Sequence, residues 1–343
     1  MTDATDPAAR PAATPAATPA DSLDAIAGER RHLLNLGYRL LGSLAEAEDA
    51  VQETYARWYA MSRQEQDAIA VPAAWLTRVA GRICLDQLAS ARVRRERYVG
   101  DWLPEPVPGP AEWLTGRPGS GVASAEAADP ADRVTLDESV GMAFLVALEA
   151  MTPAQRVALI LHDVFAYPFT EVAEVTGRTP AACRELASVA RRRARAACPP
   201  GATPGSGGGS GAGAVAGGAS TAEQAALVRD FQRVWHAQDL DGLIALLDPD
   251  AVFTADGGGV VQAAPHPIHG AARIAGFVVE VARHVTATAV VTLHERLVNG
   301  RPGLLVRIGD ETSAVYAFDV AAGRITRIWA VRNPEKLRRW ETE

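Results

Sequence analysis

The amino-acid sequence predicts a multidomain chain: two all-α segments, the second holding a helix-turn-helix, followed by a C-terminal α+β domain. Three observations predict it. Residues 22–99 and 131–197 repeat apolar side chains at helical spacing, with caps and breaks where helices should start and stop. Gly177 separates two helical stretches, the second ending in Arg191-Arg192-Arg193-Ala194-Arg195, the pattern of a DNA-reading helical pair. Beyond residue 220, helical sequence gives way to β-branched runs divided by turn residues.

Composition bounds this reading. At 343 residues the chain is too long for one ordinary domain, and 48% apolar with 22% charged residues is a globular composition. No apolar run is long enough to cross a membrane, and the start lacks the basic-then-apolar pattern of a secretory signal. Residues 1–21, rich in Ala, Pro and Thr, read as a disordered tail. Cys84, Cys183 and Cys198 are odd in number and far apart, which fits reduced thiols, a cytoplasmic location and no metal site. A net charge of −7 argues against a free-standing binder of duplex DNA, but not against one carried to DNA by a larger partner.

The elements follow in order. Leu33, Leu36, Leu40 and Leu41 form one apolar stripe; Ala47, Ala50, Val51, Thr54, Tyr55 and Trp58 form the next. Gly42-Ser43 breaks between them, and Ser43 with Glu46 reads as a capping box. Pro72 starts a helix through Trp75, Leu76, Val79, Ile83 and Leu88. It carries Arg78, Arg82, Arg92, Arg94, Arg95 and Arg97 against Asp86 and Glu96. A basic stripe with an aromatic head suits unstacked bases and a single-strand backbone, although a solvated surface helix looks the same. Residues 100–130, rich in Pro, Gly and Ala, read as an extended connector.

In the second block Thr152-Pro153 caps and starts a helix through Val157, Leu159, Ile160 and Leu161. Phe169 to Thr176, Gly177 and Thr179-Pro180 lay out the helix-turn-helix. Its second helix would expose Arg184, Glu185, Ser188 and Arg191, where Arg forks onto guanine edges and Arg or Ser holds phosphates. The plain alternative is a helical hairpin with a solvated Arg face. Residues 198–220, almost all Gly, Ala, Ser and Pro, cannot order themselves; about 20 residues of such coil span on the order of 25 Å. In 221–343, helices are expected at 222–238 and 241–247, and strands at 251–255, 286–297, 304–308, 314–320 and 325–331.

Leu44-Ala-Glu-Ala-Glu-Asp-Ala-Val-Gln-Glu53 resembles the polymerase-binding segment of region 2 of extracytoplasmic-function sigma factors. Trp75-Leu-Thr-Arg-Val-Ala-Gly-Arg-Ile-Cys-Leu-Asp-Gln-Leu88 resembles the region 2 segment that melts and reads the −10 element, and residues 151–195 resemble region 4, which reads the −35 element. The C-terminal block resembles a SnoaL-like domain, a cone of helices and sheet also used by ketosteroid isomerases. Trp102-Leu-Pro-Glu-Pro106, Asp256-Gly-Gly-Gly259 and Asn333-Pro-Glu-Lys-Leu337 resemble the signature of the sigma subgroup whose fused SnoaL-like extension replaces a separate anti-sigma factor. One departure is visible: Val260 and Val261 follow the glycines, where that subgroup usually has Lys.

The resemblance implies a non-catalytic RNA polymerase sigma factor without cofactor, monomeric when free. Its partners would be core polymerase, through the β′ clamp and β flap, and promoter DNA. Trp75, Arg78, Arg82, Asp86, Arg92 and Arg95 would meet the −10 element. Thr179, Arg184, Glu185, Ser188, Arg191 and Arg192 would meet the −35 element, and Glu46, Asp49, Gln52 and Glu53 the polymerase. Trp102, Pro104, Glu105, Asp256, Gly257, Gly258, Gly259, Asn333, Pro334 and Lys336 would make regulatory contacts between domains. Two other readings stay open. One is a helix-turn-helix regulator with a small ligand in an apolar cone. The other is an isomerase-like enzyme drawing on Asp256, His266, His269, Asp310 and Glu311. The glycine run lacks the Gly-Lys-Ser/Thr of a phosphate loop and reads as a tight turn.

Overall fold

A computed structural model describes residues 28–95, 98, 100–109, 141–197 and 220–341. The expected tail, residues 110–140 and most of the Gly-rich linker lie outside the described residues, as do the side chains of Arg92 and Arg95.

Helix α1 (Arg30–Leu41) buries Leu33, Leu36, Leu40 and Leu41 and stops at Gly42, whose φ of 70° is left-handed. In α2 (Leu44–Ala60) the Ser43 hydroxyl accepts from the Glu46 amide. A residue far along the chain adds to this cap: the Glu105 carboxylate accepts from the Ser43 hydroxyl at 3.2 Å and the Leu44 amide at 2.8 Å. A short α3 (Arg63–Asp67) carries a complete Ser62/Glu65 box. Helix α4 (Pro72–Arg95) begins at its proline, as expected.

In the second block, α5 (Met142–Glu149) precedes α6 (Pro153–Leu159), which opens with a Thr152/Gln155 capping box and widens into a π turn over Ile160–Val164. Helix α7 (Phe169–Thr176), Gly177 at φ 66° and α8 (Pro180–Ala197) form the helix-turn-helix. The two blocks share one apolar core running from Leu33 to Ala194. Arg156, 3% exposed, ties them by donating to the Leu40 carbonyl at 2.8 Å and the Leu148 carbonyl at 2.7 Å.

The C-terminal unit runs α9 (Thr221–Ala237), α10 (Leu240–Leu246), β1 (Leu247–Asp256), β2 (Ile268–His269), α11 (Ala271–Thr286), β3 (Val291–Val298), β4 (Arg301–Ile308), β5 (Glu311–Ala321), β6 (Arg324–Val331) and α12 (Pro334–Leu337), with a final tight turn over Arg338–Trp340. The sheet order is β2-β1-β6-β5-β4-β3, with β1 parallel to β6 and the other pairs antiparallel. This is the expected α+β arrangement, helices packed on one face of a curved sheet. Because side chains alternate along strands, Leu304, Tyr316, Phe318, Ile328 and Ala330 face inward, against Phe231, Phe253 and Phe277. Leu305, Val315, Ala317, Trp329 and Val331 face outward and are also buried.

One expectation fails. The run 286–297 is not one strand: Thr286 ends α11, and β3 starts at Val291. Helix α11 buries Ala271, Ile274, Ala275, Val278, Val279 and Ala282, a helical spacing hidden in a valine-rich stretch that reads as β-prone. Among the described residues no helix is long and apolar enough to cross a membrane.

Candidate functional site

The three short motifs meet in one buried knot. Asp256, at the end of β1 and 0% exposed, is its centre. Its Oδ2 accepts from the Leu103 amide at 2.9 Å and from Lys336 Nζ at 2.6 Å. Its Oδ1 accepts from the Tyr98 hydroxyl at 2.6 Å and the Gly258 amide at 2.9 Å. Lys336 also donates to the Leu103 carbonyl and lies 4.1 Å from the centre of the Trp102 ring. Asn333 starts α12 by capping Glu335, and its Nδ2 donates to the Tyr98 hydroxyl at 2.9 Å. Burial, then the neighbouring carboxylate, push the Tyr98 phenol well above its ordinary range, so it stays a donor. The glycines have separate reasons: a Cβ on Gly257 would collide with the Val261 carbonyl, and Gly258, at φ 68°, sits against the Asn333 amide. Gly259, at φ 71°, and Val260 are exposed, and Pro334 is the first helical residue of α12.

From this knot the connector runs between the helical block and the cone. Glu105 donates its amide to the Gly42 carbonyl at 2.8 Å and caps α2 with its carboxylate. Burial raises the Glu105 pKa, against the lowering pull of its amide and hydroxyl donors. The Tyr38 hydroxyl donates to the Glu105 carbonyl at 2.8 Å and accepts from Asn299 Nδ2 at 3.0 Å. Asn299 Oδ1 accepts from the Val107 amide at 2.7 Å, and Trp340 Nε1 donates to the Pro106 carbonyl at 2.9 Å. Trp102 packs on Gly42 so closely that a Cβ there would lie 2.9 Å from its ring, with Pro104 beside it. The outward sheet face closes the arrangement: Leu103, Leu337, Trp340 and Met142 of α5 cover it together. The cone therefore touches the first helical block, the connector and the second helical block.

Sequence reasoning missed Tyr38, Tyr98, Asn299, Arg339 and Trp340. Tyr98 and Asn299 had no detectable local signal; Trp340, next to the Asn333–Leu337 motif, had one. Arg339 forms a 2.8 Å ion pair with Glu48, on the helix assigned to polymerase binding. On that helix Asp49, Gln52 and Glu53 are exposed and Glu46 is half-buried. Glu53 pairs with Arg57 at 2.9 Å.

The residues expected to meet the promoter divide. Arg184, Glu185 and Arg192 are exposed on α8, Ser188 is half-buried, and the exposed Thr179 accepts from the Ala182 amide as an N-cap. Arg191 departs from expectation: it forks onto the buried Asp163 carboxylate at 2.5 and 2.8 Å and braces the helix-turn-helix. Trp75 is half-buried and packs edge-on against Trp58 at 5.2 Å. Asp86 is exposed. Arg78 and Arg82 both reach Glu174 of α7. His266, His269, Asp310 and Glu311 are exposed. Among the described residues no group of three His, Cys, Asp or Glu could hold a metal ion.

His32 of α1 lies at the boundary of the two helical blocks, edge-on to Phe165 and 3.1 Å from the Tyr167 hydroxyl. Burial, then the Arg39 charge, lower its pKa from 6.5 to about 4. Its neutral form stabilises the packed blocks, an effect fully present above pH 6.5 and lost as pH falls towards 4, where an unpacked His32 binds the proton first. The melting temperature should therefore fall across that window, and His32→Gln should flatten the slope; an unchanged slope would show that another group senses the acid.

The Sigma-70 region 2 family matches residues 26–94, and the Sigma-70, region 4 family matches residues 141–198. The chain is 35% identical over 315 residues to the ECF RNA polymerase sigma factor SigJ of Mycobacterium tuberculosis, covering 90% of each. It is 32% identical over 309 residues to a probable ECF RNA polymerase sigma factor, SigI, of the same species, covering 90% of this chain and 92% of that one. The crystal structure of the Mycobacterium tuberculosis sigma factor SigJ matches with a TM-score of 0.64 at 31% identity, covering 93% of this chain and 98% of the other.

Proposed function

The chain belongs to the extracytoplasmic-function RNA polymerase sigma factors, and on that premise we propose that its C-terminal cone governs initiation in cis by holding the promoter-reading regions together. As a sigma factor it works with core RNA polymerase on promoter DNA. The proposed division assigns 22–99 to region 2, 131–197 to region 4, 198–220 to a tether and 221–343 to the regulatory cone. One observation carries the regulatory reading: the connector is gripped from both sides, by Gly42, Tyr38 and the start of α2 on one and by Asp256, Asn299, Lys336 and Trp340 on the other. Regions 2 and 4 must stand apart to reach two promoter elements. A cone that touches both and their connector favours the compact state, and a flexible tether keeps it at high effective concentration.

The exposed Asp49, Gln52 and Glu53, with the half-buried Glu46, are proposed to meet the β′ clamp, region 4 to meet the β flap, and Arg184 with its exposed neighbours to read the −35 duplex. Transcription with core polymerase tests this reading. A chain that shifts duplex DNA alone yet starts from no promoter with core polymerase would be a regulator of another class. Arg184→Ala should weaken −35 recognition by about 1–3 kcal/mol if the arginine forks onto a base. Equal loss on every −35 sequence would identify a phosphate contact instead.

A further inference from the structure

The face of α4 that bears Arg78 and Arg82 is already occupied in the free chain. Arg78 Nη2 lies 2.9 Å from Glu174 Oε2. Arg82 donates through Nε and Nη2 to the Glu174 backbone carbonyl at 3.2 and 2.7 Å. Glu174 stands in the last turn of α7, where the helix dipole adds negative potential to its carboxylate. One carboxylate and one polarised carbonyl thus give the two arginines what a nucleic-acid backbone would give them: anionic oxygens at hydrogen-bond distance.

Gly81, between the two arginines, gives independent support. A glycine inside a long helix is disfavoured relative to alanine, and nothing within α4 asks for it, since its φ is not left-handed. The neighbouring helix does ask for it: a Cβ on Gly81 would stand 2.9 Å from Val175 Cγ1. The missing side chain is what lets α7 lie this close. Below the pair, the Tyr167 hydroxyl donates to Thr77 Oγ1 at 3.0 Å and continues the same seam into the core. Local sequence and tertiary contact therefore agree that α4 is shaped to receive α7.

We propose that α7 is an intramolecular competitor of the promoter: Glu174 and the end of α7 occupy Arg78 and Arg82, so the closed seam and the −10 strand exclude each other. This lock lies within the two sigma regions and adds to the grip of the cone. It rests on the reading that Arg78 and Arg82 meet the −10 element. The Arg78–Glu174 side chains are 39% and 49% exposed, so their pair alone contributes little. Shape, not charge, should dominate the lock.

The test follows from that shape. The Cβ position at Gly81 lies 3.9 Å from Val175 Cβ, within the span of a disulfide. The full-length Gly81→Cys/Val175→Cys chain is oxidised, assembled with core polymerase and assayed by run-off transcription on a promoter the unaltered holoenzyme selects from random-sequence DNA. The oxidised seam should lower transcript at least about tenfold, and reductant should restore it in the same sample. Full transcription with the crosslink intact, or failure of the crosslink to form in the free chain, would overturn the lock. Glu174→Arg, which keeps the fold but repels Arg78, should raise the affinity of the holoenzyme for a labelled −10 non-template strand a few-fold at low salt; no change would count against competition. Arg78→Ala with Arg82→Ala separates the two ideas. If that strand binds as before, the −10 assignment fails and the competition with it, even where the crosslink silences transcription.

Discussion

Lys336→Met is expected to release the C-terminal cone from the connector. The substitution leaves the Asp256 carboxylate at 0% exposure with its amide and phenol donors but no cation. Removing one partner of a buried ion pair costs about 3–5 kcal/mol, because the remaining charge is stranded. Lys336 also supplies a hydrogen bond to the Leu103 carbonyl and a contact with the Trp102 ring, and both vanish. A loss of this size shifts docking by about two to four orders of magnitude. Energy transfer between dyes on region 2 and on the cone should drop, and transcription should rise while polymerase binding is kept. Asp256→Asn combined with Lys336→Met removes both charges and should recover much of the loss, since a neutral replacement of a buried pair is often tolerated. If the single variant docks like the unaltered chain, or the double variant is no better than Lys336→Met, Asp256–Lys336 is not the clasp.

Trp340→Ala should have an effect of similar size by another route. The indole is 0% exposed and packs in the cluster of Leu103, Val315, Ala317, Trp329 and Leu337. Emptying such a site costs about 3–5 kcal/mol, and the Pro106 carbonyl loses its indole donor. Trp340→Phe keeps most of the packing and loses the hydrogen bond, so it should cost only about 1 kcal/mol. The ranking Ala far below Phe, and Phe slightly below Trp, is the signature of packing that holds the connector. It should appear both in the melting temperature and in susceptibility of the connector to protease. Equal effects of the two variants would assign the role to the hydrogen bond.

These contacts explain why some candidate residues could be placed from the sequence and others could not. The exposure of Arg184, Glu185 and Arg192 was legible because helical period and the Gly177 turn place them on an outer face of the helix. Asp256, Lys336 and Asn333 were legible through short motifs, but their common centre was not: Asp256 and Lys336 are 80 residues apart along the chain. Trp75 and Arg191 also have partners that spacing could not show. Residue type and spacing mark an aromatic or an arginine as a DNA candidate, but not that the half-buried Trp75 packs on Trp58 or that Arg191 pairs with Asp163.

Local physics alone settled where the helices start and end: Pro72, Thr152-Pro153, Gly177 and the apolar stripes act within about one helical turn, so no distant residue is needed to read them. It also showed a helix-turn-helix pattern and a separate α+β unit after it. Packing decided the rest. It completed the cap of α2 with Glu105 and ran α11 through a valine-rich stretch. It buried both faces of the cone's sheet and turned the face of Arg78 and Arg82 towards Glu174. Each of these depends on which surfaces come together across long chain separations, and burial, not sequence spacing, sets which polar group finds which partner.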